Sequence, residues 1–167
     1  MVKQILRYIK GTAAMGIRYE ANRRAYQLEG YSDANYASDP NSRKSVSGIL
    51  FKYSGGAITW ASKRQQSVSL STLESEYIAA SEDAKEAVWL NRLFSEIAPL
   101  KTVPVLLVDN AGAIKLAKSP SFHKRSKHID IRYHFVRERI QKGQIMLEYV
   151  PSEEQAADIL TKLISRI

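Results

Sequence analysis

The sequence predicts an α/β domain built on a mixed sheet of five strands, and three observations carry that prediction. Turn chemistry links three successive strand-like segments in the first part of the chain. Beyond them, helical and strand-like segments alternate, the pattern of strands joined by covering helices. One of the later strands, Val105-Leu106-Leu107-Val108, is apolar at every position, as expected where a sheet is covered on both faces.

The elements follow in order. Val2 to Lys10 places Val2, Ile5, Leu6 and Ile9 at helical spacing, and Gly11 stops it. Tyr26 to Asp33 reads as the first strand. Asp39-Pro40-Asn41-Ser42 turns the chain into a second, Val46 to Tyr53. Ser54-Gly55-Gly56 then opens a third through Ala57-Ile58-Thr59-Trp60. A long helix is predicted from Thr72 to Ile97, burying Leu73, Tyr77, Ala80, Ala84 and Val88. Ser71 caps it, with Glu74 completing a capping box. Glu82, Asp83 and Glu86, further down, read as solvated, and Trp60 and Trp89 as core residues. Pro99 and Pro104 bracket the exit. After the apolar strand come a short helix, Ala111 to Ala117, and a basic loop, Ser119 to Lys127. Next is a helix lined by Ile129, Tyr133, Val136 and Ile140, and then a strand, Ile145 to Val150. A last helix is expected after Pro151, with Ser152 as cap and Gln155 closing a second capping box.

The chain has the length of one ordinary domain and carries 25 Lys and Arg against 17 Asp and Glu, a net charge of +8. Such a surplus favours a polyanionic partner, because each phosphate neutralised releases condensed counterions. Cysteine is absent, which excludes disulfides and thiolate metal sites and fits a reducing compartment. No apolar run is long enough to span a bilayer, so no membrane partner is expected.

With no thiolates, a metal site here would be a cluster of carboxylates suited to hard cations such as Mg²⁺. Phosphodiester chemistry with two such ions needs several acids meeting at one place. Four stand at strand ends and helix starts: Asp33, Glu76, Asp109 and Asp158. Each also has a structural reading. Asp33 can open a turn, Asp109 can cap the helix after it, and Glu76 and Asp158 can be solvated helix-face charges. Spacing alone does not choose between these readings. Glu74 differs from Glu76 in that the capping box already accounts for it.

Several segments then carry a resemblance. Tyr31-Ser32-Asp33-Ala34-Asn35-Tyr36-Ala37, Ser45-Val46-Ser47-Gly48 and Ser69-Leu70-Ser71-Thr72-Leu73-Glu74-Ser75-Glu76-Tyr77-Ile78-Ala79-Ala80 resemble the ribonuclease H domain of copia-type retrotransposon polyproteins. So do Val108-Asp109-Asn110, Lys127-His128-Ile129-Asp130-Ile131-Arg132-Tyr133-His134 and Ala157-Asp158-Ile159-Leu160-Thr161-Lys162. Leu6-Arg7-Tyr8-Ile9-Lys10-Gly11-Thr12 resembles the end of the preceding reverse transcriptase connection. The expected division is therefore 1–25 as that tail and 26–167 as the ribonuclease H domain.

The resemblance implies a ribonuclease H-like fold, three antiparallel strands followed by parallel ones, flanked by helices. It implies hydrolysis of the RNA strand of an RNA–DNA hybrid during reverse transcription, leaving 3′-OH and 5′-phosphate ends. Two Mg²⁺ ions are the implied cofactors, with Mn²⁺ able to substitute. Asp33 would bridge both ions and Asp158 would help hold the one that activates water. Glu76 and Asp109 would hold the other, with Glu76 near the ribose 2′-OH. The implied partners are the hybrid and the reverse transcriptase of the same polyprotein, in a cytoplasmic virus-like particle.

One departure stands out. Cellular ribonucleases H carry a His in a loop before the last acid, whereas Tyr149-Val150-Pro151-Ser152-Glu153-Glu154 has neither His nor room for the loop. His123 and His128 lack the clustered third ligand of a zinc site. Candidate nucleic-acid contacts are Ser71, Thr72 and Asn110 beside the acids, and Lys124, Arg125, Lys127, Arg132 and Arg139 along the basic segment. Caps and a solvated charged face are the alternatives for these. Rival functions are an integrase or transposase of the same fold, disfavoured by the order Asp, Glu, Asp, Asp, and a catalytically weak module that binds hybrid or duplex. A plain basic DNA-binding domain lacks any helix-turn-helix or finger signal.

Overall fold

A computed structural model describes residues 2–21, 26–118 and 130–162. The segments are α1 (Val2–Gly11), β1 (Glu29–Asn35), β2 (Val46–Tyr53), β3 (Gly56–Arg64), α2 (Thr72–Ile97), β4 (Val105–Val108), α3 (Ala111–Lys118), α4 (Asp130–Gln141) and β5 (Met146–Tyr149). Two short 3-10 turns, Ser152–Glu154 and Ala156–Leu160, follow. The five strands form one sheet in the order β3-β2-β1-β4-β5. β1 pairs antiparallel with β2, and β2 with β3. β1 pairs parallel with β4, and β4 with β5. This is the predicted mixed sheet.

The hairpin between β2 and β3 turns on Ser54 and Gly55, both at positive φ, the pair that matches the twist of the flanking strands. Pairing continues to Val46 opposite Arg64, so β3 runs past its expected end at Trp60. β1 starts later than expected, at Glu29, and continues to Asn35 because pairing with β2 extends to Val46. β5 is shorter than the predicted Ile145 to Val150.

α2 crosses the sheet and supplies much of the core. Tyr77, Phe51, Leu28, Leu106 and Val136 are fully buried or nearly so, and each such side chain contributes roughly 1.5–3 kcal/mol. The rings of Tyr77 on α2 and Tyr133 on α4 lie 4.2 Å apart and fasten the two helices. At the start of α2, Ser71 Oγ accepts from the Glu74 backbone N–H at 3.2 Å. Glu74 Oε2 accepts from the Leu70 N–H at 2.9 Å, one residue before the cap. That is the predicted capping box with its return bond displaced by one position.

Three expectations are corrected. Trp60 is 57% exposed and Trp89 55% exposed, so neither is core. Trp60 sits on the edge strand β3. Asp83 is not solvated but completely buried on α2, with neither carboxyl oxygen hydrogen-bonded among the described residues. The expected last helix is absent from the described residues, where two 3-10 turns stand instead. Ser152 spends its hydroxyl on Asp109 and Gln155 turns its amide into the sheet, so the second capping box does not form.

α1 is a helix as predicted, yet none of its residues is buried, and Val2, Ile5, Leu6 and Ile9 are all more than half exposed. The chain rejoins the fold just beyond it. Tyr19 donates its hydroxyl to the Ala57 carbonyl at 2.8 Å and the Glu20 N–H donates to the Ser54 carbonyl at 2.7 Å.

Candidate active site

The parallel pairing of β1 with β4 brings their C-terminal ends side by side, where open α/β sheets commonly hold their sites. Asp33 lies in β1 and Asp109 directly follows β4. Asp158 comes to the same edge on the second 3-10 turn. One carboxylate oxygen from each of Asp33, Asp109 and Asp158 lies within 4.8 Å of the others. Glu76, in the second turn of α2, lies near the same cluster, close enough for the charges of Asp33 and Asp109 to act on it. Of the four acids singled out in the sequence, Asp33, Asp109 and Asp158 are brought within this distance and Glu76 lies near enough to feel two of them, while Glu74 is turned away into its cap.

Like charges this close repel one another. At 4.8 Å, an effective dielectric of about 20 gives a repulsion of roughly 3–4 kcal/mol per pair. Burial acts in the same direction. It is the first cause lifting Glu76 to about 8, followed by the charges of Asp33 and Asp109. Asp33 is also raised, chiefly by burial, then by Asp158 and Asp109, while Thr161 and Lys162 pull it down. Oε2 of Glu76 is buried without a hydrogen-bond partner among the described residues. An acceptor left open beside three converging carboxylates is the donor set of a hard divalent cation. The residues present thus fit a magnesium-type site.

The last turn is held in place by contacts that the sequence did not reveal. Gln155, buried, donates from Nε2 to the Ser32 carbonyl at 3.0 Å and the Leu107 carbonyl at 3.4 Å. It accepts from the Ala157 N–H at 3.2 Å, so one side chain ties the Asp158 turn to the ends of both β1 and β4. Asn35 Nδ2 and Ser62 Oγ donate to the carbonyls of Thr161 and Leu160 at 3.0 and 2.7 Å. Gly48, opposite Asp33 in β2, makes the close approach possible. A Cβ there would lie 2.7 Å from Thr161 Cγ2 and 2.8 Å from the Ala157 carbonyl oxygen.

Three further polar groups touch the acids. Ser152 Oγ donates to Asp109 Oδ2 at 2.9 Å. Thr161 Oγ1 donates to Asp33 Oδ2. Lys162 Nζ lies 2.7 Å from Asp158 Oδ1 and 3.8 Å from Asp33 Oδ1. Partial burial lowers the pKa of Lys162, but the bond to Asp158 and the charges of Asp33, Asp158 and Asp109 together raise it. The signal in the sequence was the spacing: Thr161 and Lys162 stand three and four residues after Asp158, one turn on.

The other candidates divide. Asn110 Oδ1 accepts from the Ala113 N–H at 3.0 Å and Ser71 caps α2, so both serve as caps beside the site, while Thr72 is exposed at its rim. Arg139 is turned to Gln144 Oε1 at 2.8 Å and sits over the Phe135 ring at 5.0 Å; Arg132 is half-buried. Lys124, Arg125 and Lys127, with His123 and His128, lie outside the described residues.

Comparison with known proteins bears on the fold and the relatives of the chain. The retrovirus-related Pol polyprotein from transposon TNT 1-94 of Nicotiana tabacum is 43% identical over 165 residues, 99% of this chain and 12% of that protein. The chain thus spans about an eighth of the length of the curated relatives it matches. No protein-family model matches it. The N-terminal RNase H domain of rv2228c from Mycobacterium tuberculosis superposes with a TM-score of 0.60 at 15% identity, covering 81% of this chain and 90% of that one. LC11-RNase H1 in complex with RNA/DNA hybrid gives 0.59 at 12% identity, covering 80% and 93%. The chain is accordingly a homologue of a segment of the retrovirus-related Pol polyproteins of plant copia-type transposons, and it has the ribonuclease H fold.

Proposed function

We propose that the chain is a ribonuclease H that hydrolyses the RNA strand of an RNA–DNA hybrid during reverse transcription, leaving 3′-OH and 5′-phosphate ends. The observation that carries this reading is the convergence of Asp33, Asp109 and Asp158, with Glu76 beside them, at one edge of a ribonuclease H fold. Asp33, Glu76, Asp109 and Asp158 would hold two Mg²⁺ ions, or Mn²⁺. Bound there, the cations would supply positive charge to activate water and to stabilise the leaving oxygen.

The remaining work falls to the protein's own groups. Glu76 has an open acceptor beside the other three acids, which would suit a ribose 2′-OH, the group that distinguishes RNA from DNA. Ser152 and Thr161 orient the Asp109 and Asp33 carboxylates by hydrogen bonds, and Gln155 fixes the Asp158 turn against the sheet. Hybrid binding draws on the net charge of +8. A hybrid partner is also supported by LC11-RNase H1, whose structure holds one. The reverse transcriptase of the same polyprotein is the proposed covalent neighbour, with residues 1–25 as the tail of its connection and 26–167 as the nuclease domain.

A labelled hybrid incubated with the chain and Mg²⁺, beside EDTA and single-stranded RNA controls, tests the proposal. Cleavage of paired RNA alone, abolished by EDTA, is the expected result. Cutting that persists in EDTA, or equal cutting of single-stranded RNA, refutes it. Binding of hybrid without any cleavage would instead identify a catalytically weak hybrid-binding module.

A further inference from the structure

Three carboxylates within 4.8 Å of one another, one of them nearly fully buried, need a positive charge whether or not metal is present. The structure has one. Lys162 Nζ makes a 2.7 Å contact with Asp158 Oδ1 and stands 3.8 Å from Asp33 Oδ1. Thr161, the preceding residue, donates to the other oxygen of Asp33. Between them, these two neighbours face both oxygens of Asp33, the acceptors that an incoming cation would need. The Lys162 side chain is nevertheless 47% exposed, on a flexible stem.

We infer that Lys162 is a tethered cation that offsets part of the charge of the carboxylate cluster in the metal-free protein and is displaced from it when metal enters. This rests on the metal-site reading of the four acids. Metal uptake is then an exchange of one positive charge for others rather than the filling of a bare anionic pocket. Two consequences follow. The cluster stays assembled without metal, because part of its repulsion is met internally. Metal affinity is held below what the same acids would give without the lysine, since part of each binding event is spent on moving it.

The experiment uses the full chain with three substitutions. Lys162→Met keeps the aliphatic length and removes the charge, Lys162→Arg keeps the charge, and Asp33→Asn removes a proposed ligand. Mn²⁺ is titrated calorimetrically into each, and each is melted in EDTA and in saturating Mg²⁺. K162M is expected to bind Mn²⁺ about two- to fivefold more tightly than wild type, the range open to a half-exposed ion pair. It should also melt below wild type in EDTA, with the gap closing in Mg²⁺, while K162R tracks wild type in both. Unchanged or weaker Mn²⁺ affinity in K162M, with the same melting in EDTA, overturns the exchange. The two readings fail separately. If wild type binds Mn²⁺, D33N loses it and K162M matches wild type, only the role of Lys162 falls. If wild type shows no saturable uptake, the metal site falls and the exchange with it.

Discussion

Glu76 and Asp83 are both buried acids on α2, seven residues apart, and their surroundings give them opposite meanings. Glu76 is raised to about 8 by burial and by the nearby charges of Asp33 and Asp109, companions that a cation would neutralise. It therefore carries a proton in much of the protein at neutral pH, and a metal held as proposed would have to displace that proton. Apparent metal affinity should rise with pH and level off above about 8, with protons released on binding. Calorimetry in buffers of different ionisation enthalpy reads that release, and its absence at pH 7 would refute the assignment. Glu76→Gln should abolish it and cut turnover more than about a hundredfold, beyond the loss usual for a ligand's outer partners. Glu74→Gln, which keeps the cap acceptor, should cost little. Asp83 is different. Its pKa is raised well above the ordinary value by complete burial, then by Glu86, and no hydrogen bond repays it. A folded pKa raised above the unfolded one contributes stability that is present below about pH 4 and is lost as pH rises. Asp83→Ala should therefore stabilise the fold by about 1–3 kcal/mol at neutral pH and much less near pH 4. Denaturant unfolding at both pH values measures it, and a variant weaker than wild type at neutral pH would contradict the account. The burial of Asp83 was not legible in the sequence, whereas Glu76 was singled out there with the other three acids and given its role by the resemblance. Helical periodicity sets which residues share a face, but α2 is covered so widely that polar positions are buried too.

At the scale of the element, the segment after β5 departs most from expectation, and the site depends on it. Pro151, Ser152 and Gln155 have the spacing of a helix start. That signal was correct in residue type and wrong in destination, because Asp109, Ser32 and Leu107 compete for the same side-chain groups. A single sequence shows which polar groups are present, not which tertiary partner will claim them. By contrast, β2, α2 and β4 have the predicted bounds, since each is delimited by local chemistry: turn residues, a cap, or prolines. The tight seat of the last turn gives a prediction. Gly48→Ala would bring a methyl group against the Ala157 carbonyl oxygen at 2.8 Å, a backbone atom that cannot rotate away. The turn must move off the sheet, carrying Asp158 with it. A stability loss of about 1–3 kcal/mol is expected. Metal affinity should fall about tenfold as the support of a ligand is disturbed. An Ala variant with unchanged metal binding would show that the turn does not position Asp158.

Across the whole molecule, charge is divided against itself: the chain is basic by eight charges, yet its proposed reaction centre is a knot of acids. A polyanionic hybrid would be repelled by that centre without metal, so its hold on the protein must come from basic residues elsewhere. Arg139 is engaged with Gln144 and Phe135, and Arg132 is half-buried. Lys124, Arg125 and Lys127, in the segment leading to α4, thus become the principal candidates for phosphate contact. The position of these three in sequence was readable, but their function depends on a surface that charge counting does not define. Phosphate contacts carry no base information, so their loss should weaken binding to hybrids of any sequence alike. Replacing all three by Ala should raise the Kd for hybrid and flatten the dependence of log affinity on log salt, by up to about one unit per contact removed. Binding is best measured over several salt concentrations on a background carrying Asp33→Asn, so that bound hybrid is not consumed. If the triple variant and its parent give parallel lines, these residues form only a solvated surface and the hybrid is held by another part of the chain.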